Sequence, residues 1–262
     1  MAEIAGLLAR HFEGVLLAFV RLGATFAWAP VLGHRSIPLT HRAGLAAALA
    51  LVVVPALGEP LRADRDALGF TLVIAGEIAV GLVIGFVARL VLAAAEVAGE
   101  LIGFEIGLSI GAVFDPAMGE HNGVVTRFLN AVTLLLFVSA NGHHLLVRAV
   151  AVSFERVRPG AALDAAMAGG LVGLGGKLLQ AGAAMAAPVV GVLFVLNVAL
   201  ALVGRVAPQA NVFLIGLPLS VGLGFLALFE TLPGFAQSLG RLVADMPADL
   251  EALFAGGAHG LR

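Results

Sequence analysis

Cysteine and tyrosine are absent from this 262-residue chain, and tryptophan and lysine occur once each, as Trp28 and Lys177. Without cysteine there is no disulfide, no thiolate metal ligand and no cysteine nucleophile. Charge is also scarce. Asp, Glu, Lys and Arg make up 12% of the residues, against roughly 25% in soluble globular domains. A water-soluble fold of this length could not cover its surface with so few charges. With a formal net charge of −2 and no strongly basic tract, nothing points to nucleic acid as a partner. One Trp and no Tyr leave almost nothing for the aromatic belt of an ordinary lipid-facing bundle.

What the chain has is apolar length. It is 60% hydrophobic, with a mean hydropathy of +1.05. In lipid the backbone must satisfy its own hydrogen bonds, which leaves helices or a closed barrel. Long runs rich in Leu and Ala, rather than short alternating segments, choose helices. The expected fold class is all-α, a multi-helix membrane-type protein with bent or broken helices. Residues 178–204 and 206–229 are long enough to span, at about 20 apolar residues each. Residues 14–32, 43–58, 70–95 and 128–147 are weaker candidates. The first carries Arg21, the third Glu77 and Arg89, and the last ends in Asn141-Gly142-His143-His144. Polar connectors fall at 33–38, ending in a proline stop, at 58–69 and at 153–170. Residues 231–262 form a mixed tail in which Leu239, Leu242, Val243 and Met246 allow a short amphipathic helix. Glu3 and Glu13 occupy the place of a positive n-region, so the first helix is expected in the mature protein rather than as a cleaved signal.

Residues 96–123 stand apart. Glu96, Glu100 and Glu105 interrupt an apolar run, and Gly99, Gly103, Gly107 and Gly111 recur at every fourth position. On a helix that spacing makes one stripe, and a bare glycine stripe lets another backbone approach closely. Phe114-Asp115-Pro116 is expected to stop the helix, with Gly119 and Gly123 in the loop beyond. Two readings stay open here, tight intramolecular packing or a flexible element lining a passage. Arg21, Glu77, Arg89, Glu96 and Glu100 are costly in lipid and are expected to face a bundle interior or cavity. The alternative is snorkelling, or a local pair such as Arg89 with Glu96.

No catalytic pattern emerges, so the chain is not expected to be an enzyme or to need a cofactor. The histidines form no H-E-x-x-H site, and His143 and His144, being adjacent, are expected to point apart near a helix end. Gly175-Gly176-Lys177 lacks the Gly and the Ser or Thr of a phosphate loop, since Leu occupies both 171 and 178. Gly222-Leu223-Gly224 lies inside an apolar run and reads as helix packing.

The last runs carry a resemblance. Asn197 to Arg205 leads into Ala207-Pro208-Gln209-Ala210-Asn211-Val212-Phe213, followed by Gly216-Leu217-Pro218-Leu219. This resembles the FliR family of flagellar type III export-gate proteins, which shares its fold with the injectisome protein SctT. Ala29-Pro30 with the loop to Pro38, Glu77-Gly81-Gly85-Phe86, Phe114-Asp115-Pro116, Arg127-Phe128-Leu129-Asn130 and Asn141-Gly142-His143 follow in family order. The Gly-Leu-Pro-Leu form is closer to the flagellar branch.

The resemblance implies a non-catalytic subunit of a gate that passes unfolded flagellar subunits, in the bacterial inner (cytoplasmic) membrane at the flagellar basal body. It implies FliP-like and FliQ-like partners, a FlhB-like subunit, and contact with membrane lipid. It also implies a FliP-like part over 1–160, a FliQ-like helical hairpin over 161–230 and the tail over 231–262. A plug loop is implied over 107–123, carrying Gly107, Gly111, Phe114, Asp115, Pro116, Gly119 and Gly123. Helix-packing or subunit-interface roles are expected for Gly99, Gly103, Glu77, Arg89, Glu96, Glu100, Asn197, Arg205, Pro208, Gln209, Asn211 and Pro218. The competing class is a small-molecule secondary transporter, which would show an internal repeat with matched broken helices; no clear repeat relates the halves.

Overall fold

A computed structural model of the chain describes residues 2–34, 36–57, 67–108, 123–159, 165–207, 209 and 211–258. Among the described residues there are seven helices and no strand. They are α1 (Ala2–Trp28), α2 (Leu39–Ala56), α3 (Ala67–Ile106), α4 (Val124–Ser139), α5 (Gly142–Arg156), α6 (Ala165–Val206) and α7 (Val212–Ala258). The all-α expectation holds. Among the described residues four helical segments are long and apolar enough to cross a membrane: Leu39–Ala56, Ala67–Ile106, Met167–Val206 and Leu214–Ala255. The bent pair α4 and α5 makes a fifth if counted as one broken span. The break falls at Ala140 and Asn141, where Asn141 takes a left-handed φ of 56°, a conformation Asn tolerates better than most residues. Glu13 and Arg21 interrupt the apolar run of α1, which is not among the four.

Helix limits depart from the sequence expectation in three places. Pro38 does not stop a helix; it sits at the N-cap of α2, where a missing N–H costs nothing. Arg42 braces the preceding turn, donating from Nε to the Ile37 carbonyl at 3.1 Å and from Nη2 to the His34 carbonyl at 2.6 Å. The tail does not begin a separate short helix at 231. Its residues continue α7 without a break to Ala258, and Leu239, Val243 and Met246 are buried on one face as their spacing predicts. The third departure is the end of α3, described below.

The chain packs as two units, discontinuous in sequence. The first comprises Met1–Leu90, Asn141–Gly175 and Ala244–Arg262. Here α1 packs against α2 and α5. Its core includes Leu17, Leu22 and Phe26 of α1, Val73 and Ile84 of α3, and Leu146, Val150 and Phe154 of α5. Those last three follow an i, i+4, i+8 stripe, the helical period of a one-sided apolar face. The second unit comprises Val91–Ala140 and Gly176–Val243. The C-terminal half of α3 forms its centre, with Ala94, Ala95, Ala98, Ile102 and Ile106 all at most 1% exposed. Three other helices approach it closely at glycines. A Cβ on Gly99 would lie 2.5 Å from the Thr126 Cα of α4. One on Gly182 of α6 would lie 2.5 Å from the Ala94 carbonyl oxygen, and one on Gly224 of α7 2.5 Å from Ile106 Cγ1. Small residues that let backbones meet are how helices pack where burial from water offers no driving force. The packing role expected for Gly222-Leu223-Gly224 is met at Gly224.

Candidate functional site

The first unit buries a charge cluster. Arg21 on α1 and Glu77 on α3 are 0% and 1% exposed. Arg21 Nε donates to Glu77 Oε2 at 2.7 Å and Nη2 to Oε1 at 2.9 Å. This two-point fork is the strong geometry for a guanidinium and a carboxylate. The remaining donors reach the end of α5: Nη1 to Ser153 Oγ at 2.8 Å and Nη2 to the Val157 carbonyl at 3.1 Å. The guanidinium carbon lies 3.8 Å from the centroid of the Phe154 ring, a cation–π contact. Burying two charges repays their desolvation only when hydrogen bonds are this complete.

Glycine makes the fork reachable. Glu77, Gly81 and Gly85 lie four residues apart on one face of α3. Against them α1 presents the backbone of Arg21 and Thr25. A Cβ on Gly81 would fall against the Arg21 carbonyl oxygen, and one on Gly85 would lie 2.5 Å from that of Thr25. Thr25 Oγ1 returns a 2.9 Å hydrogen bond to the Arg21 carbonyl. At the end of the crossing Trp28 and Phe86 meet with ring centroids 5.5 Å apart.

The second unit carries a polar seam along α3. Thr126 Oγ1 donates to Glu100 Oε1 at 2.9 Å, and Asn130 Nδ2 to Glu96 Oε1 at 3.3 Å. Farther along, Asn197 Nδ2 of α6 lies 3.5 Å from Glu105 Oε2. Helix α3 then ends at Ile106. Gly107 takes a φ of 89°, its N–H bonds the Phe104 carbonyl at 3.0 Å, and the Leu108 N–H bonds the Gly103 carbonyl at 3.1 Å. That pair of bonds with a left-handed glycine is a Schellman cap.

The profile of the bacterial export proteins, family 1, matches residues 12–246. The chain belongs to this family. It is 34% identical over 221 residues to the flagellar biosynthetic protein FliR of Bacillus subtilis (strain 168), covering 83% of this chain and 85% of that one. It is also 34% identical over 242 residues to FliR of Pectobacterium carotovorum subsp. carotovorum, covering 88% and 90%. With the Yop proteins translocation protein T of Yersinia pestis it shares 29% identity over 230 residues, covering 86% and 88%.

The residues singled out by sequence fall into distinct places. The glycine stripe divides: Gly99 and Gly103 are buried in α3, whereas Gly107 caps it, and Gly111 lies outside the described residues. The helix therefore ends before Phe114-Asp115-Pro116; these three and Gly119 also lie outside the described residues, while Gly123 is the N-cap of α4. Glu77 is committed within the chain to Arg21. Glu96 and Glu100 face α4, and Arg89 is exposed on α3. Asn197, Arg205, Gln209 and Pro218 are exposed, and Pro208 lies outside the described residues. Asn211 caps α7, its Oδ1 accepting from the Leu214 N–H at 3.2 Å. His143 and His144 do stand at a helix start, yet their ring centroids are only 4.2 Å apart rather than splayed. Sequence reasoning missed Ser153 and Phe154 as partners of Arg21. The signal available was one unpaired cation and one unpaired anion in separate apolar runs.

Proposed function

We propose that this protein is a non-catalytic subunit of the flagellar type III protein export gate, forming part of the pore through which unfolded flagellar subunits pass. The observation that carries the proposal is the family match over residues 12–246, with FliR relatives covered over 85–90% of their own length. The flagellar branch is favoured by 34% identity to those relatives against 29% to the Yersinia protein. The inner membrane at the flagellar basal body is the corresponding location.

The exposed faces of the helices support an assembled role. In their most apolar windows α6 and α7 bury only 17% of residues, against 56% for α3. Partner helices and lipid are the natural covering for such faces. The FliP-like part over 1–160, the FliQ-like hairpin over 161–230 and the plug over 107–123 follow from the family resemblance, as do FliP-like, FliQ-like and FlhB-like partners. Co-purification in mild detergent tests the proposal. Elution with FliP-like and FliQ-like subunits at a fixed ratio supports it. Elution of the chain alone, with transport of a small solute in liposomes, would overturn it in favour of a secondary transporter.

A further inference from the structure

The second unit holds an open cleft of about 530 Å³ where the end of α3 meets the C-terminal part of α6 and the start of α7. Its walls are apolar, from Phe104, Leu200 and Leu217, and its polar atoms come from Glu105, Asn197 and Ser220. Phe104 is 70% exposed and Leu217 42%. Among the described residues the one polar contact of the Glu105 carboxylate is Asn197 Nδ2, at 3.5 Å. That is the limit of a hydrogen bond, and a carboxylate has about four acceptor positions. Most of its capacity is open.

The field at this place is negative. Glu105 stands in the last turn of a 40-residue helix, at the negative end of its macrodipole. No Lys, Arg or His lines the cleft among the described residues. With Nδ2 turned to Glu105, the Asn197 amide oxygen is an acceptor as well. The Phe104 ring adds a face that favours a cation. An anionic, acceptor-rich point set between exposed apolar walls is complementary to a cation carried on an apolar chain.

We propose that this cleft seats an apolar segment of a partner subunit and that a Lys or Arg of that segment pairs with Glu105. The proposal rests on the export-gate reading and names one of its contacts. A polypeptide is favoured over a lipid because the acceptors, carboxylate and amide, are grouped between walls suited to flanking side chains.

The test uses the intact complex. Because the chain has no cysteine, Leu217→Cys can carry a photoactivated cross-linker at the cleft with Glu105 unchanged. Cross-linked peptides are identified by mass spectrometry. In parallel, Glu105→Gln and Glu105→Lys are compared with Glu251→Gln, an exposed acid elsewhere. The expected result is a cross-link to a co-purifying subunit in an apolar run bearing Lys or Arg. Glu105→Lys should lower retained partner by about tenfold or more, Glu105→Gln by less and Glu251→Gln not at all. Replacing the identified Lys or Arg by Glu should restore retention by Glu105→Lys. Cross-links confined to lipid or to this chain, or full retention by Glu105→Lys, would overturn the proposal while leaving the export-gate reading standing. A wild-type chain that purifies without partners overturns both. If Glu105→Lys fails to accumulate, the cross-link alone decides.

Discussion

Arg21 and Glu77 close a two-point fork across 56 positions of sequence, at 2.7 and 2.9 Å, in a site from which solvent is excluded. Removing one partner strands the other. Glu77→Ala should destabilise the protein by about 3–5 kcal/mol, because it leaves a buried guanidinium without its counter-charge. The double replacement Arg21→Met with Glu77→Leu should recover most of that loss, since well-packed apolar groups often replace a buried pair at little cost. Thermal unfolding of the detergent-solubilised complex measures both. A double variant as unstable as Glu77→Ala would show that the fork does more than cancel charge.

The sequence made the members of this site visible but not their pairing. Arg21 and Glu77 each stand out as a charge in an apolar run, and physics requires a partner for each. Which partner is a matter of helix crossing, and the crossing depends on Gly81 and Gly85 meeting carbonyls of α1. The glycine spacing at 99, 103 and 107 was equally visible, yet period alone could not separate a packing glycine from a capping one. That distinction lies in φ, which at Gly107 is 89°. Composition settled the helical class because charge content and hydropathy act on the whole chain. Helix ends were less legible: prolines at 188 and 218 lie inside α6 and α7, and Pro38 starts a helix.

Gly81→Ala should be disruptive although the change is one methyl group. The new Cβ would fall against backbone, the Arg21 carbonyl oxygen, which cannot swing aside. Overpacking of this kind costs about 1–3 kcal/mol. Gly44→Ala on α2 has nothing within 4 Å and should be neutral or stabilising by up to about 1 kcal/mol, as alanine is the better helix former. The comparison is made by thermal unfolding. Equal effects at the two positions would remove the crossing as the explanation.

Gly107→Ala should loosen the end of α3. An L-residue held in the left-handed region costs about 1–2 kcal/mol, and both cap bonds depend on that conformation. Gly107→Asn should be milder, because Asn visits this region more readily. Hydrogen exchange on peptides covering 100–108 reads the effect directly. Unchanged protection of the Leu108 amide in Gly107→Ala would show that the cap tolerates a side chain.

The plug role proposed for residues 107–123 is tested by deletion. Deleting residues 110–120 should make membranes carrying the assembled gate leak ions or small solutes. The measurement is conductance or dye release, with intact partner recovery as the control. Membranes that stay as tight as wild type would remove the plug role from this segment.

The lack of cysteine that excludes thiol chemistry also makes the chain suited to single-site labelling. Val195 of α6 is 67% exposed, whereas Leu193, two residues away, is fully buried. In the chain alone Val195→Cys should react readily with a maleimide and Leu193→Cys slowly, since reaction needs an accessible thiolate. In the assembled gate Val195→Cys should be protected by about tenfold or more, because a packed subunit interface excludes water and reagent alike. Both rates are measured in the same detergent, so that the amphiphile is constant and a change in rate reports covering by a subunit. If Val195→Cys reacts equally fast with and without partners, this face of α6 is not where the gate subunits meet, and the covering inferred from its exposed apolar side chains belongs to lipid instead.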